Sequence, residues 1–251
     1  MAEQMSVQSV ERTFRLIEIL SEQKEMSIKA LSDASGLHKA TVFRLLNTLS
    51  CLGYVTQNPQ TEQYGLTSRF LRLSSRFLEH LDVRTEVHPI LEALSADCGE
   101  TVHLVERNDC HVVYIDKIEA AKSSIRMVSR IGLSLPMPCT AVGKAILATF
   151  SDTEIRRIWD KCDIQKKTEN TITDFDSFLR EIEKTRVRGY AVDNEENEKG
   201  VFCIAASVPQ PDKSAAYAFS ISAPLQRIDD KTLNRNISLL LSAQERMKML
   251  L

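Results

Sequence analysis

Lys39, Thr41, Phe43, Arg44 and Asn47 fall within a single short stretch and have the chemistry to grip nucleic acid. Arginine and lysine pair with guanine or phosphate, and threonine meets phosphate or a base methyl group. His38, just before them, can cap a helix or meet phosphate, or is a surface histidine with no role. Arg126 and Arg130 stand four apart in a segment that reads as extended, hence on one face. One of them can clamp a carboxylate, or the two make surface salt bridges. Ser220 and Ser222 alternate with Phe219 and Ile221, so both hydroxyls leave one sheet face, where they can bind a polyol or simply face solvent.

The six cysteines, Cys51, Cys98, Cys110, Cys139, Cys162 and Cys203, are scattered. They form no CxxC pair and no zinc-like spacing with histidine, which predicts free or buried thiols, with no metal and no cofactor. Cys203 or Cys139 with His103 could make a nucleophile and base, but no local signature supports the pair, so an enzyme is not expected. A redox sensor built on the same thiols is a third reading.

The elements that must position these groups begin with helical spacing. Val10, Phe14, Ile17 and Leu20 predict a first helix over Ser9–Gln23, capped by Ser9. A second starts at Ser27, burying Ile28, Leu31 and Ala34, and Gly36 stops it. A third, about Lys39 to Leu52, turns Val42, Leu45, Leu46 and Leu49 inward and leaves the groove-facing set outside. Two short helices around a glycine turn are a helix-turn-helix signature. β-prone segments at Tyr54–Thr56 and Gln63–Leu66 flank the turn-rich Asn58-Pro59-Gln60, which predicts a wing whose polar tip can touch phosphate. On its own the polar face of the third helix is an ordinary solvated face; the wing behind it turns the reading toward DNA.

From Thr67 to about Ala96 the pattern is helical, with an apolar stripe over Phe70–Leu81, a break near Asp82, and Pro89 in the first turn of the next helix. That stripe is wider than a small head needs, so a dimer contact is expected. Strands are predicted at Thr101–Val105, Val112–Ile115, Ile125–Val128, Val201–Val208 and Ala215–Ser222. Turns are expected at Asn108-Asp109 and Pro211-Asp212-Lys213. Helices are expected around Thr140–Thr149, Thr153–Cys162, Phe175–Arg188 and Asp229–Leu250. Strands on both sides of a helical middle make an α+β sensor-like domain.

The 251-residue length allows two domains, and 43% hydrophobic with 26% charged residues excludes disorder as the default. The net charge of -2 does not advertise nucleic acid, so the DNA reading rests on the local pattern. Met1 to Phe14 is polar, and no apolar run approaches the roughly 20 residues of a membrane helix, which predicts a soluble, cytoplasmic chain with no membrane partner.

Three stretches together resemble the IclR family of transcription regulators: LSDASGLHKATVFRLLNTLSCLGYV (Leu31–Val55), SRIGLSLPMPCTAVGKAILA (Ser129–Ala148) and GYAVDNEENEKGVFCIAASV (Gly189–Val208). Within it, Tyr114–Ile118, Arg126-Met127, Ser129–Gly132 and Thr168–Ile172 resemble the KdgR-like branch, which responds to sugar-acid metabolites such as 2-keto-3-deoxygluconate. Ser74, Pro138-Cys139 and Ser207 depart from the family pattern. The resemblance implies a winged helix-turn-helix DNA-binding domain over 6–68, a linker helix over 69–82, and a GAF-like α/β effector-binding domain over 83–251. It implies a repressor working as a homodimer or dimer of dimers on double-stranded operator DNA. It also implies an effector pocket at Ala141, Gly143, Asp193, Cys203, Ser220 and Ser222. There Gly143 would let a carboxylate approach backbone N–H groups, and Asp193 would orient ligand hydroxyls or else cap a turn.

Overall fold

In the first of the chain's two units, residues 1–80, α1 (Gln8–Ser21), α2 (Ile28–Ser35) and α3 (Lys39–Cys51) precede a hairpin of β1 (Val55–Gln57) and β2 (Tyr64–Leu66); α4 (Arg69–Glu79) follows. The computed structural model describes residues 7–120, 129–208 and 216–250. Ser27 caps α2 by accepting the Ala30 N–H at 3.2 Å, and Gly36 closes it with φ +71°. That left-handed geometry costs glycine little, which is why the chain can turn at once into α3. Leu16, Leu20, Leu31, Val42, Leu46, Leu49, Val55 and Tyr64 form the core of this unit. Met26 bridges Tyr64 beside the hairpin.

Three local expectations fail here. Val7, not Ser9, stands at the N-cap of α1, and no side chain caps it. Val10 and Phe14 remain 51% and 59% exposed, while Leu16 and Leu20 carry the burial. Several apolar stripes can be drawn on one helix, and only the neighbours decide which is covered. Ala34 is exposed, and Ser35 is buried instead, its hydroxyl donating to the Leu31 carbonyl at 2.5 Å. In α4 no residue is buried, and Leu71, Leu73 and Phe77 are 71%, 49% and 56% exposed.

The second unit, residues 81–251, contains α5 (Asp82–Cys98), β3 (Thr101–Asn108), β4 (His111–Ile118), β5 (Ser134–Pro136), α6 (Ala141–Leu147), α7 (Asp152–Lys161) and α8 (Phe175–Arg188). It continues with β6 (Ala191–Asn194), β7 (Val201–Ser207), β8 (Tyr217–Pro224) and α9 (Asp230–Leu250). Pro89 lies inside α5, not in its first turn. Proline removes one helical hydrogen bond, but the burial of Val87, Ile90, Leu91 and Leu94 holds the helix through it. The hairpin turn falls on Asp109-Cys110, one residue later than expected. The predicted strand Ile125–Val128 and turn Pro211-Asp212-Lys213 lie outside the described residues.

One antiparallel sheet runs in the order β5-β4-β3-β8-β7-β6. Helices α5 and α9 pack on one face, and α6 covers the other with α8 behind it. Sequence patterning did not mark β5 or β6, each only three or four residues long. The result is an α+β architecture, and no described helix is long and apolar enough to cross a membrane.

Candidate functional site

At about 3.6 residues per turn, the burial of Val42, Leu46 and Leu49 puts Ala40, Arg44 and Asn47 on the opposite side of α3. Lys39 and Phe43 flank that line on one side, exposed; Thr41 flanks it on the other, half-buried. Phe43 is 47% exposed, an apolar ring kept in water on an otherwise polar face. Arg44 and Asn47 make no side-chain hydrogen bond or ion pair with the described residues. His38 occupies the N-cap position, but its side chain caps nothing, so the capping half of its expected role falls away. The wing tip is organised from within. Asn58 accepts the Gln60 N–H at 2.9 Å and donates to Glu25 at 3.1 Å. The tip, Asn58 to Gln63, carries no basic residue, so any phosphate contact must come from neutral donors.

In the second unit, sheet register builds a cavity of about 290 Å³ under α6. Asp193, Cys203 and Ser222 lie in one row across β6, β7 and β8, and Ser220 pairs with His103 on β3. All five of these residues line the cavity, as do Tyr114, Thr140, Ala141 and Lys167. His103 Nε2 is 2.8 Å from Ser129 Oγ, while Nδ1 is 3.4 Å from Ser220 Oγ and 3.3 Å from Ser222 Oγ. In either tautomer one ring nitrogen donates and the other accepts, so a neutral imidazole satisfies this floor. Burial, with Lys117 nearby, pushes His103 down to about 3, which keeps it neutral. Tyr114 meets its ring edge-on at 5.2 Å.

The turn after β6 is pinned in two ways. Asp193 Oδ1 accepts the N–H of Glu196 at 2.7 Å and of Asn197 at 3.4 Å. Lys144, fully buried on α6, donates to Glu196 Oε1 at 2.6 Å. Burial raises the carboxyls of both Asp193 and Glu196, against the pull of Lys144. Lysine and glutamate taken this far from water are tolerable only as a pair.

Residues 9–59 match the IclR helix-turn-helix domain, and residues 75–248 match the domain described as bacterial transcriptional regulator IclR, C-terminal. The chain belongs to the IclR family. It is 35% identical over 238 residues to the HTH-type transcriptional regulator KdgR of Escherichia coli, covering 95% of this chain and 90% of that one. It is 37% identical over 224 residues to the DNA-binding transcriptional repressor YiaJ of the same organism, covering 88% and 79%. The crystal structure of Thermotoga maritima IclR superposes with TM-score 0.76 at 28% identity over 96% of this chain and 98% of that one. An Alicyclobacillus acidocaldarius IclR regulator gives 0.85 at 25% over 97% and 98%. The protein is therefore a DNA-binding transcriptional regulator with an effector-binding C-terminal domain, and not an enzyme.

Of the residues expected in the IclR-family pocket, Ala141, Asp193, Cys203, Ser220 and Ser222 come together around the cavity. Gly143 does not line it. Its N–H is already taken by the Thr140 hydroxyl at 3.0 Å, so it is not open to a carboxylate. A Cβ there would overlap the Met137 carbonyl, so the glycine serves close packing of α6 on the preceding turn. Arg130 is exposed and does not line the cavity, and Arg126 lies outside the described residues. Asp193 plays the turn-capping role that its sequence also allowed.

The thiol readings lose their chemistry. Burial raises the Cys203 and Cys139 thiols, and His103 spends both ring nitrogens on serine hydroxyls. All six cysteines are free. Sequence reasoning gave His103 no part in the pocket, and it missed Thr140, Lys144 with Glu196, and Lys167 altogether. A histidine in the apolar strand Thr101–Val105 was a usable signal, but its partners on β8 sit 117 and 119 residues away.

Proposed function

We propose that this regulator represses genes of sugar-acid or related carbon catabolism, and that a small carboxylated sugar derivative in the cavity under α6 controls it. The observation that carries this reading is the convergence of the Ser220 and Ser222 hydroxyls, held by the neutral His103, at the floor of a cavity of about 290 Å³. Hydroxyl-bearing ligands suit such a floor. The similarity to the DNA-binding transcriptional repressor YiaJ supports the repression, and the resemblance of the chain to the KdgR-like branch is what suggests the effector class.

In this reading the head, 6–68, sets α3 in the major groove of operator DNA. Arg44 and Asn47 are central, with His38, Lys39, Thr41 and Phe43 around them. Residues 69–82 serve as the linker, and 83–251 as the effector domain. Leu71, Leu73 and Phe77, exposed along α4, support a homodimer or dimer of dimers reading two half-sites. The protein works in the cytoplasm. Gel shifts on the DNA upstream of its own gene, repeated with a panel of sugar acids, test the whole reading. Binding that one acid modulates is the expected result; no shift with any of that DNA, or shifts indifferent to every acid, would sink it.

A further inference from the structure

We propose that Lys167 is the anion-recognising group of the cavity, holding the carboxylate of the effector while Ser220 and Ser222, backed by His103, take its hydroxyl end. This rests on the effector reading above and supplies the charge that Arg130, outside the lining, does not.

Among the described lining residues Lys167 is the one cation. Its Nζ donates to Asn197 Oδ1 at 2.7 Å and makes no ion pair with a described carboxylate. An ammonium has three donors, so two stay free at the mouth of the cavity. Lys144 differs: it is buried and committed to Glu196.

The backbone under Lys167 is held firmly. The N–H groups of Lys167 and Thr168 donate to Thr171 Oγ1 at 3.1 and 2.9 Å. The hydroxyls of Thr168 and Thr171 donate to the carbonyls of Glu195 and Glu196 at 2.6 and 2.7 Å. A flexible side chain thus rises from a segment stitched to the turn that Asp193 caps.

The other charged groups in the lining are Asp193 and Glu198. Without Lys167 the cavity presents carboxylates alone and repels an anion. With it, an acid has one attractive end, and the like charges of Asp193 and Glu198 keep its carboxylate there. Asn197 is the group displaced, an uncharged acceptor exchanged for a charged one, and charge-assisted hydrogen bonds are the stronger kind.

The test uses the full-length protein, calorimetry, and gluconate, glucuronate and pyruvate as probes, with gluconamide as the uncharged counterpart of gluconate and 6-phosphogluconate to separate phosphate from carboxylate. Lys167→Met should weaken carboxylate binding about tenfold, leave gluconamide unchanged, and lose its effect as salt is raised. Lys167→Gln keeps a donor for Asn197 without the charge and should behave like Lys167→Met. Lys167→Arg should recover most of the affinity, and Lys166→Met, outside the lining, should bind as the parent does. Equal carboxylate affinity in parent and Lys167→Met overturns the assignment. So does an equal loss for gluconate and gluconamide, or a Lys167 effect confined to 6-phosphogluconate. If no acid binds the parent, the effector reading itself fails and takes this assignment with it.

Discussion

Acidification should destabilise the effector domain through His103, and the size of the effect follows from its surroundings. The ring is 2% exposed, both nitrogens face hydroxyls, and burial beside Lys117 holds it at about 3 against an ordinary 6.5. Because the folded value lies below the unfolded one, the unfolded chain takes up a proton that the folded chain refuses. The contribution is therefore complete above about pH 6.5 and falls as pH drops toward 3. Between pH 7 and pH 5 it amounts to about 2 kcal/mol. Glu100, Asp193 and Glu196 have carboxyls raised by burial, and they act in the opposite direction as they protonate. Comparison with His103→Gln, which stays polar but does not titrate, isolates the histidine. Urea unfolding at pH 7, 6 and 5, followed by the fluorescence of the single tryptophan, Trp159 in α7, reports on this unit. The parent should lose about 2 kcal/mol more than the variant across that range. Parallel pH dependences would show that the buried imidazole is not refusing its proton.

Arg44→Ala should weaken operator binding by about 1–3 kcal/mol and relax specificity at the contacted base; an unchanged gel-shift titration removes Arg44 from the reading face. Gly143→Ala drives a Cβ into the Met137 carbonyl, and overpacking of this kind costs about 1–3 kcal/mol. Its melting temperature should fall, and an unmoved one refutes the close-packing role. Ser220→Ala with Ser222→Ala removes two hydroxyls, each hydrogen bond worth roughly 0.5–1.5 kcal/mol net. Calorimetry on a folded double variant should show weaker effector binding, and parental affinity would remove the β8 face from the site.

Much of the local architecture was legible from residue order. Ser27 and Gly36 bracket α2 because a hydroxyl can cap N–H groups and glycine can turn left-handed, and both effects act within a few residues. α8 falls on Phe175–Arg188, where its periodicity placed it, between the Asp174 cap and Gly189. Alternation alone put Ser220 and Ser222 on one face, since a strand reverses its side chains at every step. What residue order left open were choices among equals. Val10 and Leu16 are both apolar residues on α1, and only the packing around the helix decides which is buried. Pro89 should have marked a helix start, but burial on both sides of it outweighed one lost hydrogen bond. The site itself depends on register across β3, β8, β7 and β6, which brings His103 to serines more than a hundred residues away. It depends equally on the pairing of Lys144 with Glu196 across 52 residues. Capping and periodicity act over a turn or two of chain and so can be read from it. Strand register and the pairing of buried charges are settled only when distant segments compete for the same interior, and that competition takes place in the folded molecule.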